Sequence, residues 1–234
     1  MILKRKYIIS FITLLLLLII ILKTNNSEII YFPIKNITSS ELINVNKDDI
    51  SKAVKYLYSK SFFDIDLNYL KRKLEKIEWV RKINVRRSYP DEIIIDIEEH
   101  TPVLIWNNKM FINKYGEKFH VNKIDKNIPI LISDEARVNE VFTYYKLFNE
   151  KLILNKLDFK ITKITENEIR SVTIGLSSGI NIQLGSKDVN NKIPLFFEIY
   201  KSLKTRDLNK IRYIDMRYSN GFSVGWNKKN GKKQ

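Results

Sequence analysis

The chain has 234 residues, with 41 Lys+Arg against 26 Asp+Glu, a formal charge of +15. That length makes one or two domains. It has no cysteine and only two histidines, His100 and His120, which excludes a disulfide framework or thiolate metal site and argues against a histidine-based metal site or triad. A positive excess of this size fits nucleic acid or an anionic membrane surface. Here the basic residues are scattered along the chain rather than gathered in one block, so no nucleic-acid partner is expected.

"MILKRK" precedes sixteen uncharged residues, Tyr7 to Leu22, and then Lys23. As a helix this run spans roughly 24 Å against a hydrocarbon core of about 30 Å. Lys6 and Lys23 can snorkel to the two interfaces and close the gap. A cleaved signal peptide also starts with positive charge, but a small-residue cleavage pattern should follow it, and "KTNNSE" offers none. Residues 7–23 are therefore read as an uncleaved transmembrane helix after a six-residue cytoplasmic head, residues 1–6. Lys4, Arg5 and Lys6, with no acidic residue beside them, keep that head cytoplasmic. The bulk of the chain then lies outside the membrane, in the periplasm where the cell has one.

After a linker over residues 24–32, residues 33–99 alternate short strands with helices. "PIKNITS" reads as a strand, and Asn46 with Asp49 forms a loose capping box before Ile50, Val54 and Leu57 at helical spacing. A second helix starts near Asp66, with Leu67, Leu70, Leu74 and Ile77 on one face. Strands at Lys82–Ser88, with Ile83 and Val85 inward, and Glu92–Glu98 close a β-α-α-β-β module around the "YPD" turn. Trp79 reads as part of that module's core.

From residue 100 to residue 226 the chain is mostly strand, with flanking helices. "PVLIW", "KMFIN" and "KFHV" form a meander broken at "NN" and "YG". A helix is expected over Asp134–Lys151, and strands over Leu157–Ile164, Glu168–Ile174 and Ile180–Leu184. A second helix lies between Asp188 and Leu203. Because Pro194 is tolerated only in a first turn, that helix is expected to begin near Asn191. The last strands read Arg212–Tyr218, with Ile214, Met216 and Tyr218 on one face and Tyr213 on the other, then Phe222, Val224 and Trp226. An uncovered final strand would normally be blunted by charge or proline. This one carries aromatic residues instead, and its lysines come only in the basic tail, residues 227–234, which is expected to be disordered. The fold class is α+β, with the second domain mostly antiparallel.

No catalytic constellation emerges. "GLSSG", Gly175 to Gly179, matches the G-x-S-x-G of serine hydrolases with Ser177 as nucleophile. That motif needs a strand meeting a helix. Here alternating strands flank it on both sides, so a hairpin turn is expected. Glu98 and Glu99 are neighbours on a strand and face opposite ways. No phosphate loop or metal spacing appears, and no cofactor, metal or small-molecule substrate is expected.

Three separated stretches nevertheless resemble one family. "IEWVRKINVRRSYPDEIIIDIEEHTPVLIW", Ile77 to Trp106, is similar to the POTRA module of the FtsQ/DivIB family of bacterial division proteins. "INKYGEKF" resembles a family stretch ending in Gly-x-x-Phe, and "IRYIDMRYSNGFSVGW" resembles the family's terminal strands. The resemblance implies a bitopic, non-enzymatic component of the divisome with the order anchor, POTRA domain, β-domain. It implies binding to FtsB and FtsL, with a strand of FtsB added to the last strand of the β-domain, as in other strand additions. By position, the family's FtsB contacts fall on Arg170, Arg217, Tyr218, Ser219, Gly221, Gly225 and Trp226. A second surface, on the POTRA module, falls on Lys82, Val85 and Arg87. The arginines suit bidentate pairing with acidic partner residues, and Tyr218 and Trp226 suit aromatic hot spots. Gly221 also reads as a turn residue, Gly225 as allowing close backbone approach, and Trp226 as a candidate for core packing. Two departures stand out: the cytoplasmic head is short, and Ser40 occupies the place of the family's glycine after the first POTRA strand. A POTRA-type chaperone of outer-membrane proteins is the alternative reading, and a hydrolase using Ser177 a remoter one. The class of POTRA chaperones usually has tandem modules or a C-terminal barrel, and neither is visible in the sequence.

Overall fold

The structure is a computed structural model that describes residues 12–18, 32–122, 128–203, 210–218 and 221–226. Residues 12–18 are α-helical; the rest of the segment read as a membrane span lies outside the described residues. No described helix is long and apolar enough to cross a membrane. The linker before residue 32, Ser219 and the basic tail also lie outside the described residues. The chain divides into two compact units. The first runs to Ile77 and includes Lys82–Glu98; the second takes Glu78–Arg81 and everything from Glu99 onward.

In the first unit, β1 (Asn36–Ser39) is followed by α1 (Lys47–Val54), a 3-10 turn (Lys55–Ser59), α2 (Leu67–Leu74), β2 (Val80–Ser88) and β3 (Glu92–Glu99). Local chemistry sets both helix starts. The Asn46 side chain accepts from Asp48 N–H at 2.9 Å, and Asp66 accepts from Asn68 and Tyr69 at 2.8 and 3.0 Å. The sheet order is β1-β3-β2, with β1 and β3 parallel. Ile50, Leu57, Leu70, Leu74, Ile83, Ile93 and Ile95 are buried. Ser40 has a local role of its own: its hydroxyl donates to Ile97 C=O at 3.2 Å and accepts from Ile97 N–H at 2.9 Å.

The second unit is one nine-stranded sheet: β4 (Pro102–Trp106), β5 (Met110–Asn113), β6 (Lys118–Phe119), β7 (Ile130–Ile132), β8 (Ile161–Glu166), β9 (Val172–Leu176), β10 (Asn181–Gly185), β11 (Ile211–Asp215) and β12 (Ser223–Trp226). Its order is β12-β11-β10-β9-β8-β7-β4-β5-β6. Pairing is antiparallel except at β10–β11, β4–β7 and β7–β8. Helices α3 (Val138–Leu154) and α4 (Val189–Ser202) share one apolar cluster with the sheet, in which Phe148 stacks with Phe196 at 5.4 Å and meets Phe197 at 5.0 Å.

Several expectations need correcting. The helix around Pro194 starts at Val189, so the proline sits inside it rather than in the first turn. One lost backbone bond is offset by full burial of Ile193, Phe196 and Phe197. The strand β7 was missed because "PILI" is too short to show a period. β8 and β9 both begin later than expected. Lys156 takes φ 52 where α3 ends, and Arg170 takes φ 60 in the turn between the two strands. Trp79 belongs to the second unit, not to the POTRA core. Its ring lies 6.0 Å from Phe119, and it packs on the cluster of Ile105, Phe111, Phe119 and Val121. Arg81 fixes the same segment there by a two-pronged pair with Glu117, at 2.8 and 3.2 Å.

Candidate functional site

The terminal hairpin is built by short-range chemistry. β11 lies parallel to β10 through Asn181↔Tyr213, Ile182↔Ile214 and Gln183↔Asp215. It stops at Asp215, not at Tyr218, because the Asp215 carboxylate captures the backbone N–H of Arg217 at 3.0 Å, a local bond of the kind that turns a chain out of a ladder. The same carboxylate accepts from the Arg217 guanidinium at 2.9, 3.1 and 2.7 Å. Those bonds, ahead of the opposing effect of burial, hold the Asp215 carboxyl below its ordinary range. Asp215 is buried while Arg217 remains exposed. Gly185, at φ 78, leaves room for the stem of Arg217: a Cβ there would stand 3.3 Å from Arg217 Cγ.

β12 returns antiparallel, with Ile211↔Trp226, Tyr213↔Gly225, Ile214↔Val224 and Asp215↔Ser223 opposed. Among the described residues, β11 is its one strand neighbour. Val224 leans on the core, whereas Trp226 is 48% exposed and is not a core residue. Gly225 is required sterically, for a reason other than backbone approach. The Tyr213 ring lies across it, and an added Cβ would fall 2.1 Å from Tyr213 Cε1. A Cβ added at Gly221 would meet nothing within 4 Å, so no neighbouring atom demands glycine there.

The strand registers gather Arg170, Arg217, Tyr218 and Gly221 at one end of the sheet, the end where Glu166↔Val172, Val172↔Gly185 and Asp215↔Ser223 are paired. Arg170 caps the β8–β9 turn, its N–H donating to Asn167 C=O at 2.8 Å. Two strand spacings, roughly 10 Å, separate its strand from that of Arg217. Trp226 and Gly225 lie toward the other end of β12. Ser219 falls outside the described residues.

A groove of about 560 Å³ opens beside this end, lined by Lys187, Lys192, Leu195, Met216, Arg217, Tyr218 and Phe222 among others. Leu195, Tyr218 and Phe222 are exposed. Sequence reasoning missed Leu195, Phe222 and Asp215. The Asp-x-Arg spacing on a strand, which puts both side chains on one face, was the signal that could have found Asp215.

Near Arg170 a larger polar recess of about 820 Å³ includes Arg137 and Glu166. Arg137 pairs there with buried Glu166 at 2.8 Å and with Glu140. Its pKa is driven up, first by the hydrogen bonds to Glu166. Glu140 also accepts from the Tyr144 hydroxyl, which with Arg137 holds its carboxyl below the usual range. Burial, then that bond, pushes Tyr144 up to about 12.

On the first unit, Lys82 and the pair Val85 and Arg87 fall on opposite faces of β2 by strand alternation. Lys82 is exposed and Val85 half-buried. Arg87 donates to the carbonyls of Phe62, Phe63 and Ile65 at 3.0, 3.4 and 2.6 Å, which makes it a strap for that loop. Ser177 stands in the β9–β10 hairpin turn rather than on an elbow; its hydroxyl accepts from Lys160 N–H at 2.8 Å. No group of acidic or histidine side chains among the described residues could hold a metal ion.

Comparison with known proteins places this architecture. Residues 32–100 match the model of the POTRA domain, FtsQ-type, and residues 104–217 that of cell division protein FtsQ/DivIB, C-terminal. The cell division protein FtsQ of Escherichia coli K12 is 28% identical over 200 residues, covering 82% of this chain and 72% of that protein. FtsQ of Actinobacillus pleuropneumoniae is 31% identical, covering 71% and 73%. FtsQ of Shewanella oneidensis is 30% identical, covering 76% and 68%. With both halves matched and the identity spread over most of the length, the chain belongs to the FtsQ/DivIB family of cell division proteins.

Proposed function

We propose that the chain is a non-enzymatic, membrane-anchored scaffold for septum assembly that binds FtsB–FtsL through the open edge of β12. Residues 7–23 anchor it in the inner membrane with the head cytoplasmic and both folded units periplasmic. It thereby links early cytoplasmic to late periplasmic division proteins at the septum. The observation that carries this reading is the rim of β12, which has a strand neighbour on one side only among the described residues. Unpaired N–H and C=O groups there supply affinity to an added strand, and alternate side chains supply selectivity. Exposed Tyr218, Phe222 and Trp226 flank the rim. Arg217 keeps guanidinium N–H groups beyond those used on Asp215 and can offer them to a partner carboxylate.

The test is affinity of the full-length chain for FtsB in detergent. Tyr218→Ala and Trp226→Ala should each weaken binding about tenfold or more, as aromatic anchors do, with far-UV circular dichroism unchanged. Wild-type affinity in both variants sinks the proposal.

A further inference from the structure

One end of the first unit carries three exposed aromatic rings. Phe32 is 59% exposed, Phe63 57% and Tyr89 79%. Backbone contacts tie their segments together. Phe62 N–H donates to Phe32 C=O at 2.9 Å, and Pro33 bridges Ser61. Arg87 straps the loop of residues 62–65 to β2, two residues before Tyr89. Lys35 N–H reaches Asp91 C=O at 2.9 Å, which brings the turn between β2 and β3 to the start of β1. Phe32 meets Phe63 edge-on at 5.4 Å and holds φ 56, an outlier for a bulky side chain. Strain of that kind persists where the surroundings over-determine it, yet here it leaves the ring largely in solvent.

The chain leading into Phe32 identifies what covers these rings. Nine residues, 23–31, separate Phe32 from Leu22, the last residue of the apolar run. Fully extended they reach about 35 Å at most, so this end is the one tethered beside the bilayer. Aromatic side chains settle at the headgroup level. The nearby charges are Lys35, Lys60 and Arg87 against Asp64, Asp91 and Glu92, with Lys35 and Asp91 paired at 2.7 Å and Glu92 opposite Asn36. These charges balance, so the aromatic rings rather than net charge supply the attraction to the interface.

We propose that Phe32, Phe63 and Tyr89 form a wedge that seats the first unit in the lipid interface beside its own anchor. The inference rests on residues 7–23 spanning the membrane and is independent of the terminal strand.

The test uses the full-length chain, one per nanodisc, in phosphatidylethanolamine–phosphatidylglycerol containing bromine-labelled acyl chains, which quench tryptophan over short range. Phe63→Trp and Tyr89→Trp are the reporters. Ile43→Trp is the control, at a residue 86% exposed and four positions beyond the opposite end of β1. Fluorescence is read as the difference from the parent with its three tryptophans. Expected is loss of most of the added emission from both reporters, with the Ile43→Trp signal kept. Unquenched reporters in an inserted chain, or equal quenching at all three positions, overturns the wedge. A chain that never enters the disc overturns the anchor and the wedge together. None of these outcomes depends on FtsB.

Discussion

Two arginines in the second unit face buried carboxylates, and they end in different states. Arg137 lies between Glu166 and Glu140, with its side chain only 22% exposed and two carboxylates against it. Arg217 meets one carboxylate, Asp215, and its side chain stays 56% exposed. The first arrangement closes on itself and struts α3 to β8. The second uses one edge of the guanidinium as a hinge pin and leaves the other edge facing solvent. The same ion-pair chemistry therefore yields an enclosed strut or a half-exposed guanidinium, depending on how many acids surround the arginine.

That contrast can be broken by mutation. Arg137→Ala strands Glu166, whose side chain is 3% exposed, as a buried, unpartnered carboxylate. It should cost about 3 kcal/mol of stability, read as a lower urea midpoint. An unchanged midpoint would mean that the strut carries no load. At the terminal edge the limiting feature is steric. Gly225→Ala should cost about 1–2 kcal/mol, because the Tyr213 ring must move. In a Tyr213→Ala background the penalty should largely vanish, a coupling that a double-mutant cycle measures.

A smaller difference depends on pH. The folded Asp215 carboxyl titrates below its unfolded value. The stability it contributes is therefore fully present above the unfolded Asp pKa, about 4, and is lost as pH falls through the depressed folded value. Asp215→Asn should flatten the acid limb of the urea-midpoint profile below about pH 4 and leave its shape at neutral pH unaltered. Equal acid slopes in the two proteins would refute this. The smallest effect calibrates the rest: Ser177→Ala removes one exposed acceptor for Lys160 N–H and should cost about 0.5–1 kcal/mol. The variant should also match the parent in labelling by a fluorophosphonate probe, since Ser177 sits in a hairpin.

The comparison also shows what a sequence can and cannot carry. Periodicity and caps were enough to place α1 and α2, because Asn46 and Asp66 act within three residues of themselves. Apolar runs bounded by "NN" and "YG" found β4 and β5, and alternation found β10, for the same reason. β7 was not legible, since three residues between two parallel neighbours are defined by β4 and β8 rather than by their own pattern. Trp79 was misplaced because a ring's partners, here Phe119 forty residues on, leave no local trace. At the terminal edge the aromatic residues could be read directly. The clash that fixes Gly225 could not, because it depends on the cross-strand register with Tyr213.

The attachment of the last hairpin has a kinetic consequence. β11 and β12 join the rest of the sheet through three parallel residue pairs with β10 and the Met216 N–H to Gln183 C=O bond of 2.8 Å. β11 and β12 form one end of the sheet, with β12 paired on one side only among the described residues, so this hairpin opens more readily than the central strands. Amide exchange in Ile211–Trp226 should outpace that of β8 and β9 in the free protein, as in a weakly held cooperative unit. Capture of a foreign strand at β12 would then be recorded as slowed exchange throughout the hairpin, well beyond the residues it touches.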